Sequence, residues 1–75
     1  MTYYLTVDVG SFKHHVFAFE DKMRAQSAYV TLNTRVTHLS SPTLERVTVH
    51  LDSDDEAATF RVTDLRAVSL VKGRP

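Results

Sequence analysis

A chain of 75 residues with no cysteine must rely on packing or on association, because neither a disulfide nor a thiolate metal site is open to it. Its 43% hydrophobic and 24% charged residues match an ordinary globular domain and exclude a disordered chain. Nine Lys and Arg balance nine Asp and Glu, so the basic excess of a typical nucleic-acid binder is missing and no net charge keeps copies apart.

The first segment, "TYYLTVDV", alternates Tyr3, Leu5, Val7 and Val9 with Thr2, Tyr4, Thr6 and Asp8, which predicts a half-buried strand. No positively charged start leads into a long apolar run, and no run approaches the ~20 residues of a spanning helix. The expectation is a cytoplasmic protein without a membrane partner. Gly10 and Ser11 then supply a turn, and "SFKHHVFAFE" pairs back as a second strand. Val16 and Ala18 lie on one face of that strand and Phe17 and Phe19 on the other, so both faces are apolar. Such a strand is central or covered by another element or subunit. His15, Phe17 and Phe19 are therefore candidate contacts to a subunit or partner.

"EDKMRAQSA", Glu20 to Ala28, is rich in helix formers and suits one or two helical turns or a loop. From Tyr29 to Leu39 the period is two again. Val30, Leu32, Thr34, Val36 and His38 oppose Tyr29, Thr31, Asn33, Arg35 and Thr37, which predicts a third strand. Ser40 to Pro42 break the chain. "ERVTVHL" forms the fourth strand, with Val47, Val49 and Leu51 opposite Arg46, Thr48 and His50. Ser53 with Glu56 makes a capping-box pattern, so a turn or short helix is expected between Ser53 and Thr59. Phe60 and Val62 alternate, "TDLR" reads as a tight turn, and Val68 to Val71 form a closing strand.

These elements predict one all-β domain spanning residues 1–75, with at most one short helix. It would be a small antiparallel barrel or bent sheet of five or six strands, SH3-like in general architecture. The expected core is Leu5, Val7, Phe17, Phe19, Val30, Leu32, Val36, Val47, Val49, Leu51, Phe60, Val62, Val68 and Leu70.

"LTVDVGSFKHHVFAFE" resembles the first phosphate-binding segment of the actin and sugar-kinase superfamily, where a strand ends in Asp-x-Gly and the chain returns as a second strand. The resemblance would make Gly10 and Ser11 phosphate contacts and Asp8 a carboxylate on the metal side. A similar start occurs in ribonuclease H-type nucleases. Those chemistries need further convergent acids and alternating strands and helices, whereas the other acids here gather in "DSDDE". A plain hairpin turn is the better account of the stretch.

The adjacent His14 and His15 point to opposite faces of a strand, and His38 and His50 belong to other strands, so no metal site is expected. "DSDDE" lacks the central glycine of a calcium loop, and Thr63 stands where that loop needs an acid. Two glycines are too few for a P-loop or dinucleotide fingerprint. No cofactor is expected.

What is left is a surface. One outer sheet face would carry Tyr4, Tyr29, Asn33, Arg35, Arg46 and His50, and Tyr and Arg are enriched in binding hot spots. The expected function is a non-enzymatic protein-interaction module, such as a small inhibitor or adaptor that binds a larger protein and forms a homo-oligomer. The alternative is a small barrel that binds single-stranded nucleic acid. The remote alternative is a metal-dependent hydrolase or nuclease fragment using Asp8.

Overall fold

A computed structural model describes residues 1–37, 45–52 and 55–73. In chain order the elements are β1 (Tyr3–Asp8), β2 (His14–Phe19), α1 (Lys22–Thr37), β3 (Arg46–His50), β4 (Ala57–Arg61), a single 3-10 turn (Val62–Asp64) and β5 (Ala67–Lys72). The strands form two antiparallel sheets, one ordered β2-β1-β5 and one made of β3 and β4. Among the described residues the fold is mainly β, as expected, with one α-helix, and the sheets do not close into a barrel.

The β1–β2 hairpin turns where the sequence places it. Gly10 has φ of +83°, and Ser11 and Phe12 follow at +53° and +60°, all in the left-handed region. The Asp8 Oδ1 accepts the Gly10 N–H at 2.8 Å. The Lys13 N–H donates to the Gly10 carbonyl at 2.9 Å, which closes the turn. The register then pairs Leu5 with Phe17 and Val7 with His15 on one side of β1, and Leu5 with Leu70 and Val7 with Val68 on the other. At the far end, the Gly73 N–H reaches the Thr2 carbonyl at 2.6 Å. A Cβ on Gly73 would lie 2.7 Å from that oxygen, so the close approach requires glycine.

The largest departure from the sequence reading is α1. Residues 29–37 are not a strand but the second half of a 16-residue helix. Asp21 starts it: its Oδ1 accepts the N–H groups of Met23 at 2.9 Å and Arg24 at 3.3 Å. The helix formers that follow carry the first turns, and the β-branched run is drawn into the same helix because packing favours it. Ala25, Ala28 and Leu32 are buried, and Tyr29 and Val36 pack against the core beside them. That spacing is helical. Val30, expected in the core, is instead 59% exposed. His38 and Leu39 lie outside the described residues.

Of the turn or short helix expected between Ser53 and Thr59, the described residues show no helix: Ala57 begins β4, and Ser53 lies outside the described residues. The Leu51 N–H donates to the Glu56 carbonyl at 3.0 Å, so the segment turns β3 back into β4.

The core lies between the three-stranded sheet, α1 and the β3–β4 hairpin. Leu5, Val7, Phe19, Leu32, Val47, Val49, Phe60 and Val62 are buried as expected. Phe17, Val36, Leu51, Val68 and Leu70 are half-buried around them. Ala25, Ala28 and Leu65 complete the core without having been expected there. α1 packs mainly on β5 and β3. It therefore stands where a ladder joining those strands would close a barrel.

Gly10→Ala and Ser11→Gly should move stability in opposite directions. A Cβ at residue 10 meets only the Arg66 side chain at an ordinary 3.7 Å, so its cost is the backbone conformation, about 1–2 kcal/mol. Ser11→Gly releases a similar strain, less the entropy glycine adds to the unfolded chain, for a gain of about 0.5–1 kcal/mol. Thermal unfolding followed by circular dichroism checks both. Equal effects of one sign would show that the turn is not held as described.

Candidate functional site

Pleating aims His15, Phe17 and Phe19 at the same face of β2, toward the interior. Cover over that face decreases along the strand. Phe19 is fully buried, Phe17 is half-buried and His15 is exposed. On the other sheet, the pleat of β4 turns Phe60 inward to meet them. The Phe17 and Phe60 rings stand 6.0 Å apart at 82°, edge to face. His15 lies 5.7 Å from Phe60 at 68°, and stacks 6.4 Å from Phe17 at 15°. These are favoured aromatic geometries, and they join the two sheets through side chains.

The cluster forms the floor of a cleft of about 390 Å³ between the sheets. Val9, His15 and Phe17 line one wall, Ala58, Thr59, Phe60 and Arg61 line the other, and Asp64 lies at the edge. The volume falls at the small end of the range of small-molecule pockets. Two further hollows are smaller. A groove of about 250 Å³ runs between α1 and β3, past Arg24, Ser27, Thr31, Thr48 and His50. A shallow hollow of about 190 Å³ lies by Thr6, Asp8 and His14.

The candidate contacts thus divide. His15 and Phe17 come together with Phe60 at an open site. Phe19 is covered by the chain's own core and is no partner contact in this fold. The six-residue outer face does not assemble. Tyr4 lies on the outward face of the three-stranded sheet, opposite Leu5 and Val7. Tyr29, Asn33 and Arg35 are carried by α1, which packs on the inward side. Arg46 and His50 project from the exposed face of β3. Arg35 donates to the Glu45 carboxylate at 2.8 Å. The strand pattern had united these residues only by counting α1 as a strand.

Arg61 was missed. The register sets it directly across from Arg46 on the exposed face of the β3–β4 hairpin. Its sequence signal was the alternation of Phe60, Arg61 and Val62, which turns Arg61 outward between two core positions. On the next rung of that face, the Thr48 and Thr59 hydroxyls lie 2.9 Å apart in a hydrogen bond.

Asp8 is spent on the Gly10 N–H in the hairpin turn. Among the described residues, no group of three or more His, Cys, Asp or Glu is placed to hold a metal ion. Among them, too, no helix is long and apolar enough to cross a membrane. No protein-family model, no curated protein and no solved structure matches this chain.

The cleft aromatics should separate in their cost to the fold. Phe60→Ala empties a core position and should destabilise by roughly 3 kcal/mol. Phe17→Ala removes a half-buried ring and its edge contact, for roughly 1–2 kcal/mol. Urea denaturation measures both. A larger loss for Phe17→Ala than for Phe60→Ala would contradict the cover described here.

Proposed function

We propose that this chain is a non-enzymatic protein-interaction module that takes an extended segment of a larger protein into the cleft between β2 and β4. The half-covered His15–Phe17–Phe60 cluster carries the reading. Phe60 is buried, Phe17 is half-buried and His15 is exposed, so the cluster grades from the core into the open cleft. β2 is an edge strand of its sheet, so one row of its backbone N–H and C=O groups has no ladder partner. An incoming strand pairs with that row and sets an apolar side chain against Phe17 and Phe60, the strand-addition mode of peptide recognition. The added strand would bridge the gap between the sheets and bring the fold closer to a closed, SH3-like barrel. A module of this size suits an inhibitor or adaptor that occupies a site on its partner.

Self-association belongs to the opposite face. Tyr4, Val16 and Val71, 43%, 61% and 59% exposed, lie on the outward side of the three-stranded sheet. The register sets Tyr4 beside Val71, and Thr6 beside Val16. A second copy is the occupant that fits, because the zero net charge gives no repulsion between copies.

Peptides selected from a displayed random library on the folded chain should lose about tenfold or more in affinity when Phe17 becomes Ser, while circular dichroism shows the fold retained. Wild-type affinity in a folded Phe17→Ser chain would remove the cleft as the site. Light scattering should give the wild-type chain a mass above its 8.5 kDa monomer. Val16→Lys should return it to the monomer and leave peptide binding in place. A monomeric wild-type chain would end the self-association reading.

A further inference from the structure

We infer that the segment taken by the cleft is acidic, and that Arg46 and Arg61 read its carboxylates; this rests on the cleft reading above. The two arginines face each other directly across the β3–β4 ladder, and both are exposed. Residues so paired have Cβ atoms about 5 Å apart, and like charges there destabilise a sheet. Among the described residues neither arginine forms an ion pair. The chain does neutralise charge close by: Arg35 pairs with Glu45, the residue next to Arg46. Two opposed guanidinium groups on neighbouring strands, Arg46 on β3 and Arg61 on the β4 wall of the cleft, are a cost to the fold that a bound anion would offset.

The position of Arg61 sets what that anion accompanies. Arg61 lines the cleft immediately beside Phe60. A segment anchored on the Phe17–Phe60 rings therefore passes Arg61 directly, and Arg46 stands across the ladder from it on β3. Guanidinium groups bind carboxylates through paired, charge-assisted hydrogen bonds. The Thr48–Thr59 rung extends the same face with hydroxyl groups that accept or donate.

A peptide fits this arrangement better than a nucleic acid. Asp64 lies at the cleft edge near Arg61, and Glu45 precedes Arg46. A phosphate backbone carries charge at every step and would meet those carboxylates as well. A peptide strand places its acids only where the arginines are and presents neutral residues elsewhere.

The test uses the folded full chain and a displayed random peptide library. Enriched peptides should carry Asp or Glu close to an aromatic or aliphatic residue. For a synthetic copy of an enriched peptide, the double variant Arg46→Glu with Arg61→Glu should weaken binding about tenfold or more. The peptide's Asn/Gln analogue should bind the wild type correspondingly weakly and be indifferent to the double variant. Arg46→Gln with Arg61→Gln replaces the charge reversal if that variant does not fold. Neutral or basic enriched peptides, or acidic ones bound equally by the double variant, overturn the charge inference. Binding that is still lost in Phe17→Ser then shows that the cleft reading survives. A library that enriches nothing overturns both. Displacement of the acidic peptide by oligothymidylate, with tighter binding of the oligonucleotide, overturns the peptide assignment in favour of nucleic acid.

Discussion

The arrangement depends on one carboxylate at a junction. Asp52, just after β3, accepts the N–H groups of Glu20 at 2.7 Å and Asp21 at 3.2 Å. Those are the residues between β2 and α1, where a helix start leaves backbone donors without partners. Arg24 completes the junction from the helix side, donating to the Leu51 carbonyl at 2.9 Å. The start of α1 is thereby tied to the end of β3, and the helix is aimed across the inner face of the three-stranded sheet. With the helix so placed, Ala25, Ala28 and Leu32 form its buried stripe, and the two sheets remain separate among the described residues.

The same placement explains why the cleft opens where it does. α1 covers the Phe19 end of β2, and the β3–β4 hairpin approaches the His15 end only through side chains. Phe60 reaches across and meets Phe17 and His15, but no helix follows to seal the gap. A small chain has limited apolar surface to spend on cover. Here the core is complete at one end of β2 and leaves a ring cluster half open at the other. The outward face of the sheet, with Tyr4, Val16 and Val71, is uncovered for a different reason: the chain's one described helix is already committed to the inner face.

Much of the β architecture was legible because period-two alternation maps directly onto a pleat. Leu5 and Val7, and Val47 and Val49, are buried at alternate positions as their patterns require. The hairpin at Gly10 was legible because positive φ has a sequence signature. Residues 29–37 were not. Val30, Leu32, Thr34 and Val36 satisfy a strand period, and Leu32 and Val36 with Ala25, Ala28 and Tyr29 satisfy a helical one. Alanine made the helical stripe hard to see, since small side chains signal burial weakly. The pattern was ambiguous, and burial of the Ala25, Ala28 and Leu32 stripe decided it. The candidate surface was misassembled by the same ambiguity, because Tyr29, Asn33 and Arg35 were counted on a sheet they do not join.

By itself, the sequence determined the local elements with unambiguous periods: the β1–β2 hairpin, the strands around Val47 and Phe60, and the inward direction of Phe17. It also determined that Asp8 stands beside a turn. Only the tertiary structure decided that the long third element is a helix, that two sheets stay separate, and that His15, Phe17 and Phe60 meet. The physical reason is distance along the chain. Phe17 and Phe60 are brought together by burial competing across the whole fold, and Arg46 and Arg61 by strand register, and neither leaves a trace in any short window of residues.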